Sequence, residues 1–177
     1  MEFQLDQAMD ILQQTPAVLR ALLQDVSDQW VCNNYGAKTF SPFDVVGHLI
    51  HGERTDWIPR ANMILQHGEE KTFEPFDRYA MYEDSTGNTI DHLLETFEVL
   101  REANLETLRA MNLTPEKLAL RGTHPELGPV TMQQLLATWV VHDLNHFHQI
   151  AKCMAWQYKD AIGPWLPYVG VLKPGSA

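Results

Sequence analysis

The stretch TMQQLLATWVVHDLNHFHQIAKCMAWQY, residues 131–158, repeats apolar side chains at helical spacing from end to end, and this limits most strongly what the chain can become. Trp139, His142, His146, Gln149 or Ile150, and Cys153 fall on one stripe, so one long amphipathic helix turns two histidines toward an interior. Three further segments share that period. The first runs from about Phe3 to Val26, with Pro16 interrupting it and Thr15 placed to cap a second half. The second opens on FSPFD, where Ser41 suits the N-cap, Pro42 the first helical position and Asp44 the positive helix end. Pro59 is expected to kink this helix rather than end it, because Met63 and Ile64 continue its stripe. The third reads from about Thr89 to Met111, and clean strand-like alternation is scarce throughout.

Four such helices predict an all-α four-helix bundle, a single domain over residues 1–177. The connection between the second and third helices, residues 67–88, is too long for a hairpin, so a crossover that leaves those two helices parallel is expected. The segment NLTPEKLALRGTHPELGPV reads as a second connection punctuated by turn residues. The tail GPWLPYVGVLKPGSA is expected to lie along the bundle through Trp165 and Tyr168, with Trp57, Trp139 and Trp156 as packing residues.

A net charge of -10 with only 13 Lys and Arg argues against binding nucleic acid and against docking on anionic lipid. The start MEFQLDQAMD lacks the layout of a secretion signal, and no apolar run approaches the ~20 residues of a membrane span. Cys32 and Cys153 show no CxxC spacing, so the expectation is a cytoplasmic protein with two reduced thiols.

His142 and His146 lie within about 40° of each other, one helical turn apart, which is the spacing at which two imidazoles grip one metal ion. Two core histidines hydrogen-bonded to neighbouring helices is the competing explanation. His148 sits about 200° from His146 and cannot join them. A third ligand has to come from another helix. His48, on the side of Val45 and Leu49, is the better candidate, whereas His51, rotated about 60° among polar neighbours, reads as a rim residue. His67, His92 and His124 read as surface residues, with His124 a candidate for a pocket mouth. A di-iron carboxylate bundle would need paired Glu-x-x-His motifs, and the nearest match is the single Asp143-to-His146 spacing. A zincin would need His-Glu-x-x-His; HDLNH puts Asp143 at that place, one methylene shorter, with an exposed helix-face aspartate as the alternative.

The pieces TFSPFDVVGHLIHGERTDW and HPELGPVTMQQLLATWVVHDLNHFHQI together resemble the DinB/YfiT-like superfamily of metal-dependent enzymes. The shared pattern is an aromatic-Ser-Pro start, one histidine early in helix two, then His-x-x-x-His with a Gln three residues on. Phe40-Ser41-Pro42, His48, His142, His146 and Gln149 match it; Phe147-His148 stands where many members have Arg-Gly. The resemblance implies a four-helix bundle with a crossover, and a divalent ion, zinc or nickel, held by His48, His142 and His146. It also implies homodimers, and thiol S-transferases acting with bacillithiol, mycothiol or glutathione. The leading expectation is therefore a thiol made reactive at the ion and attacking an electrophilic small molecule. Gln149 would then bond a ligand or bound solvent, and Asp143 would be a candidate for proton transfer. A metal-dependent hydrolase using activated water, and a non-catalytic dimeric stress-response or binding module, are the alternatives.

Overall fold

The computed structural model describes residues 1–173, the side chains at positions 83 and 84 apart. Helix α1 spans Leu5–Leu23, and the short α2 spans Asp28–Cys32. The second long helix comes in two pieces, α3 over Pro42–Thr55 and α4 over Trp57–His67. Short α5, Met81–Ser85, precedes α6 over Ile90–Ala110. Short α7, Pro115–Leu118, leads into a hairpin of β1, Arg121–His124, and β2, Gly128–Thr131. The long α8 covers Met132–Trp156 and is followed by two short 3-10 turns.

Four long helices pack as a bundle, and their directions follow from which residues meet. Val45 and Val46 pack in one apolar layer with Leu93, Leu94 and Phe97, whereas Trp57, Ile58 and Ile64 pack in another with Leu105 and Leu108. The α3–α4 pair and α6 therefore run parallel, as the crossover requires. Leu12 belongs to the second of these layers and Leu19 to the first, while α8 enters through Leu135 and leaves through Ile150. Thus α1 and α8 run together, opposite to the other two.

Pro16 does not divide the first helix, because α1 passes through it without a break. Proline at that position deprives the Leu12 carbonyl of its helical donor. Arg101 Nη1 donates to that carbonyl at 2.9 Å instead. Thr15 consequently caps nothing; its hydroxyl lies 2.7 Å from Asp143 Oδ2 on α8. The second helix breaks at Asp56, three residues ahead of Pro59. Pro59 thereby falls in the first turn of α4, where a missing N–H costs no helical bond.

Two connections carry more structure than the sequence suggested. In the 67–88 segment Phe73 is buried and its N–H donates to Thr123 O at 2.9 Å, fastening the crossover to the hairpin. The hairpin itself was not foreseen. Its strands are four residues each, and Gly122 and Pro129 interrupt any alternation. Gly122 allows the close approach: a Cβ there would stand 2.8 Å from Ile64 Cγ1 and from Phe73 Cε1. Gly122→Ala should therefore lower stability by about 1–3 kcal/mol through overpacking, read as a shifted urea midpoint at unchanged slope. The tail also departs from expectation. Trp165 and Tyr168 are exposed and Leu172 packs in their place, while residues 174–177 lie outside the described residues. No helix among the described residues is long and apolar enough to cross a membrane.

Candidate metal centre

The helix starts fix where the histidines point. Ser41 and Asp44 close a reciprocal cap, with Ser41 N–H donating to Asp44 Oδ2 at 2.9 Å and Asp44 N–H to Ser41 Oγ at 3.2 Å. His48 follows nearly two turns later. Thr131 and Gln134 make the equivalent cap on α8, three turns before His142. The rings of His48, His142 and His146 meet across the α3–α8 seam. Their ligand nitrogens all lie within 4.8 Å of one another. His142 Nε2 stands 3.2 Å from His48 Nε2 and 3.1 Å from His146 Nε2. His51 stands against Phe76 at 5.1 Å and does not join the three, and His148 is half-buried elsewhere on α8.

Protons alone satisfy this arrangement badly. Gln149 Oε1 lies 2.8 Å from His146 Nδ1, so that nitrogen donates and His146 Nε2 presents a lone pair. His142 Nε2 must then carry a proton to satisfy one contact, and that leaves its other contact with at most the same shared hydrogen. A cation placed among three lone pairs removes the conflict. Protonation is not an alternative remedy. Burial above all, then the neighbouring His146, His51 and Arg78, pushes the His48 pKa down to about 3. Burial, His146, His48 and Arg101 push that of His142 down to about 2. His146 is lowered too, by burial, with Gln149 and Asp143 opposing. Three neutral imidazoles are the donor set that suits zinc or nickel, so the residues fit the ion that the sequence pattern implies. Gln149 supplies the single firm outer bond. Neither His142 Nδ1 nor His48 Nδ1 has a hydrogen-bond partner among the described residues.

These depressed values set a pH dependence for protein stripped of metal. The unfolded imidazoles titrate near 6.5 and take up protons that the folded ones refuse, so stability falls as pH drops below about 6.5. Each group should remove up to about 1.4 kcal/mol per pH unit, read by urea unfolding at pH 7.5, 6.5 and 5.5. Flat stability over that range would contradict the burial of the rings.

Asp143 does not stand where the sequence reading placed it. Only 1 % exposed and absent from the cavity wall, it binds Arg101 through both oxygens, at 2.6 and 3.1 Å. Arg101 Nη2 also donates to Glu53 Oε1 at 2.8 Å, and Asn104 holds Glu53 Oε2 at 2.9 Å. Trp139 Nε1–H adds a third bond to Glu53 at 3.2 Å. This ionic waist joins α1, α3, α6 and α8 between the two apolar layers. It fixes the rotation of α8 and hence the direction of its histidine pair. Neither Glu53 nor Arg101 is marked in the sequence, and Thr15 reads there only as a cap, because residues this far apart give no local signal. The one available hint was the charge of Arg101 on the stripe of α6 that Phe97, Leu105 and Leu108 bury.

A cavity of about 650 Å³ opens from the histidines. Phe40 and Phe76 stand over His48, with ring centroids at 5.7 and 5.3 Å, and Trp57 stands 5.1 Å from His142. The far walls come from the crossover (Phe73, Arg78) and the hairpin (His124, Leu127). Asp56 and Arg60 form an ion pair on the same wall, and burial raises the Asp56 carboxyl to about 6 despite that partner.

A helical bundle with three converging neutral imidazoles at the head of a cavity defines a protein built to hold a divalent ion. The DinB superfamily pattern matches residues 11–150, and the chain belongs to that superfamily. Among solved structures it is similar to YfiT from Bacillus subtilis, at 22% sequence identity and a TM-score of 0.72, covering 92% of this chain and 91% of that one. YfiT is described as a probable metal-dependent hydrolase with an unusual four-helix bundle topology. No curated protein matches the chain.

Proposed function

We propose that the chain is a metal-dependent enzyme of thiol S-transfer, with a divalent zinc or nickel ion held by His48, His142 and His146. The observation that carries this reading is the meeting of three neutral Nε2 atoms at the head of a cavity where the neighbouring carboxylates are engaged. Asp143 and Glu53 are bound by Arg101, and Asp56 by Arg60. A thiol needs no general base once its pKa is lowered, and an ion supplies that by Lewis acidity. Gln149 keeps the His146 ring turned so that Nε2 faces inward. Phe40, Phe76 and Trp57 set apolar rings beside the imidazoles. The electrophile occupies the chamber between crossover and hairpin; its carbon gains the sulfur as its leaving group departs, and the thiol proton passes to solvent.

A test is to add monochlorobimane with glutathione, bacillithiol or mycothiol to metal-loaded protein. The reading expects conjugation well above the His146→Ala variant with at least one thiol. No excess with any of the three removes it. Hydrolysis is the second reading, favoured by the near-neutral titration of Asp56 and by the description of YfiT. Turnover of esters or amides without thiol, lost in Asp56→Asn, would select it.

A further inference from the structure

The hairpin tip carries a histidine for which the metal centre has no use. His124 ends β1 and lines the cavity. Its Nδ1 accepts from the main-chain N–H groups of Glu126 and Leu127, each at 3.2 Å. A ring nitrogen that accepts carries no proton, so the neutral imidazole keeps its hydrogen on Nε2. Burial, with Arg60 nearby, lowers the His124 pKa and favours that neutral form. Among the described residues nothing accepts from Nε2. The loop occupies Nδ1, so Nε2–H is the ring donor left for a ligand in the cavity that His124 lines.

The surroundings limit what this donor can read. At the hairpin end Arg60 is matched by Asp56, and Glu126 acts on His124 with the opposite sign to Arg60, while Arg78 acts at the His48 end of the cavity. Phe73, Leu127, Val130 and Leu135 make the neighbouring walls apolar. One fixed neutral donor among apolar walls suits a neutral acceptor better than an anion. Closing the hairpin tip does not by itself require imidazole, since an aspartate oxygen can accept the same two N–H groups.

We infer that His124 is a substrate-binding residue whose Nε2–H donates to a carbonyl oxygen on a small neutral ligand with an apolar body: a ketone, ester or amide. The inference rests on reading the cavity as the substrate chamber of the metal centre. The probes are acetophenone and ethylbenzene, alike in shape and differing in the carbonyl, titrated into metal-loaded protein while the imidazole ¹H–¹⁵N signals are followed. Acetophenone should bind about three- to tenfold tighter and move the His124 Nε2–H signal. His124→Asp keeps an acceptor for the tip and loses the donor, so the preference should vanish while Tm holds; His124→Asn, too short to replace Nε2, should behave alike. In His48→Ala the preference should persist, and this separates the subsite from the fate of the metal reading. Equal affinities in the wild type, an unchanged preference in both His124 variants, a proton found on Nδ1, or a preference lost with the ion would each overturn the inference.

Discussion

Replacing Arg101 with methionine is expected to destabilise the protein by about 3–5 kcal/mol, a loss on the scale of the whole stability of many domains. The side chain is 1 % exposed and satisfies two buried carboxylates and the carbonyl that Pro16 leaves without a donor. Methionine fills the space and keeps the contact with Phe97 and Trp139, so the loss reports charge rather than volume. Glu53 and Asp143 would be left facing each other without a cation. Burial already raises the Glu53 carboxyl in the intact protein, against the pull of Arg101 and Asn104. Without Arg101 it should rise further. A folded-state pKa above the unfolded one means that protonation favours the fold, so the deficit of the variant relative to the wild type should shrink as pH falls toward 5, the histidine loss below about 6.5 being common to both proteins. Glu53→Gln in the Arg101→Met background should restore part of the loss at neutral pH. Urea unfolding of the two variants measures both effects. A loss below about 1 kcal/mol would mean that water reaches the waist.

His142→Ala should lower the affinity for zinc or nickel by more than 100-fold. His142 Nε2 lies within 3.2 Å of both other Nε2 atoms, and removing the ring leaves one imidazole on each helix. Substituting an outer partner of a metal-bound histidine costs about 10–100-fold, and deleting a ligand costs more. Gln149→Leu should fall within that smaller range, because it leaves His146 in place but frees the ring to turn. Thermal unfolding gives a second readout. An ion at about a thousand times its Kd should stabilise the wild type by about 4 kcal/mol and His142→Ala by no more than about 1.4 kcal/mol. Binding competition against a chromogenic chelator supplies the affinities. Equal protection of both proteins would place the ion elsewhere.

Much of the bundle was legible because its cues are local. Ser41-Pro42 and Thr131 mark helix starts within one residue, and the stripe through Trp139, His146 and Ile150 names the buried face of α8 correctly. The crossover followed from length alone. What stayed hidden depends on contacts between distant residues. Pro16 looks like a helix breaker until Arg101, 85 positions away, takes over the carbonyl it orphans. Asp143 looks like a surface acid next to a metal motif until α1 and α6 close over it. The hairpin gave no period to read, since strands of four residues holding Gly122 and Pro129 are organised by Phe73 and Ile64 from another segment. His48 could be preferred over His51 because one helical face separates them, and the structure brings His48 to the α8 pair.

The account turns on a single cation shared by α3 and α8. Elemental analysis of protein purified without a metal-affinity tag tests it most directly, comparing the wild type with His48→Ala at equal folded fraction by circular dichroism. The account predicts close to one equivalent of zinc or nickel per chain in the wild type and almost none in the variant. Full metal content retained by folded His48→Ala would contradict it, as would a wild type that takes up no divalent ion when one is supplied.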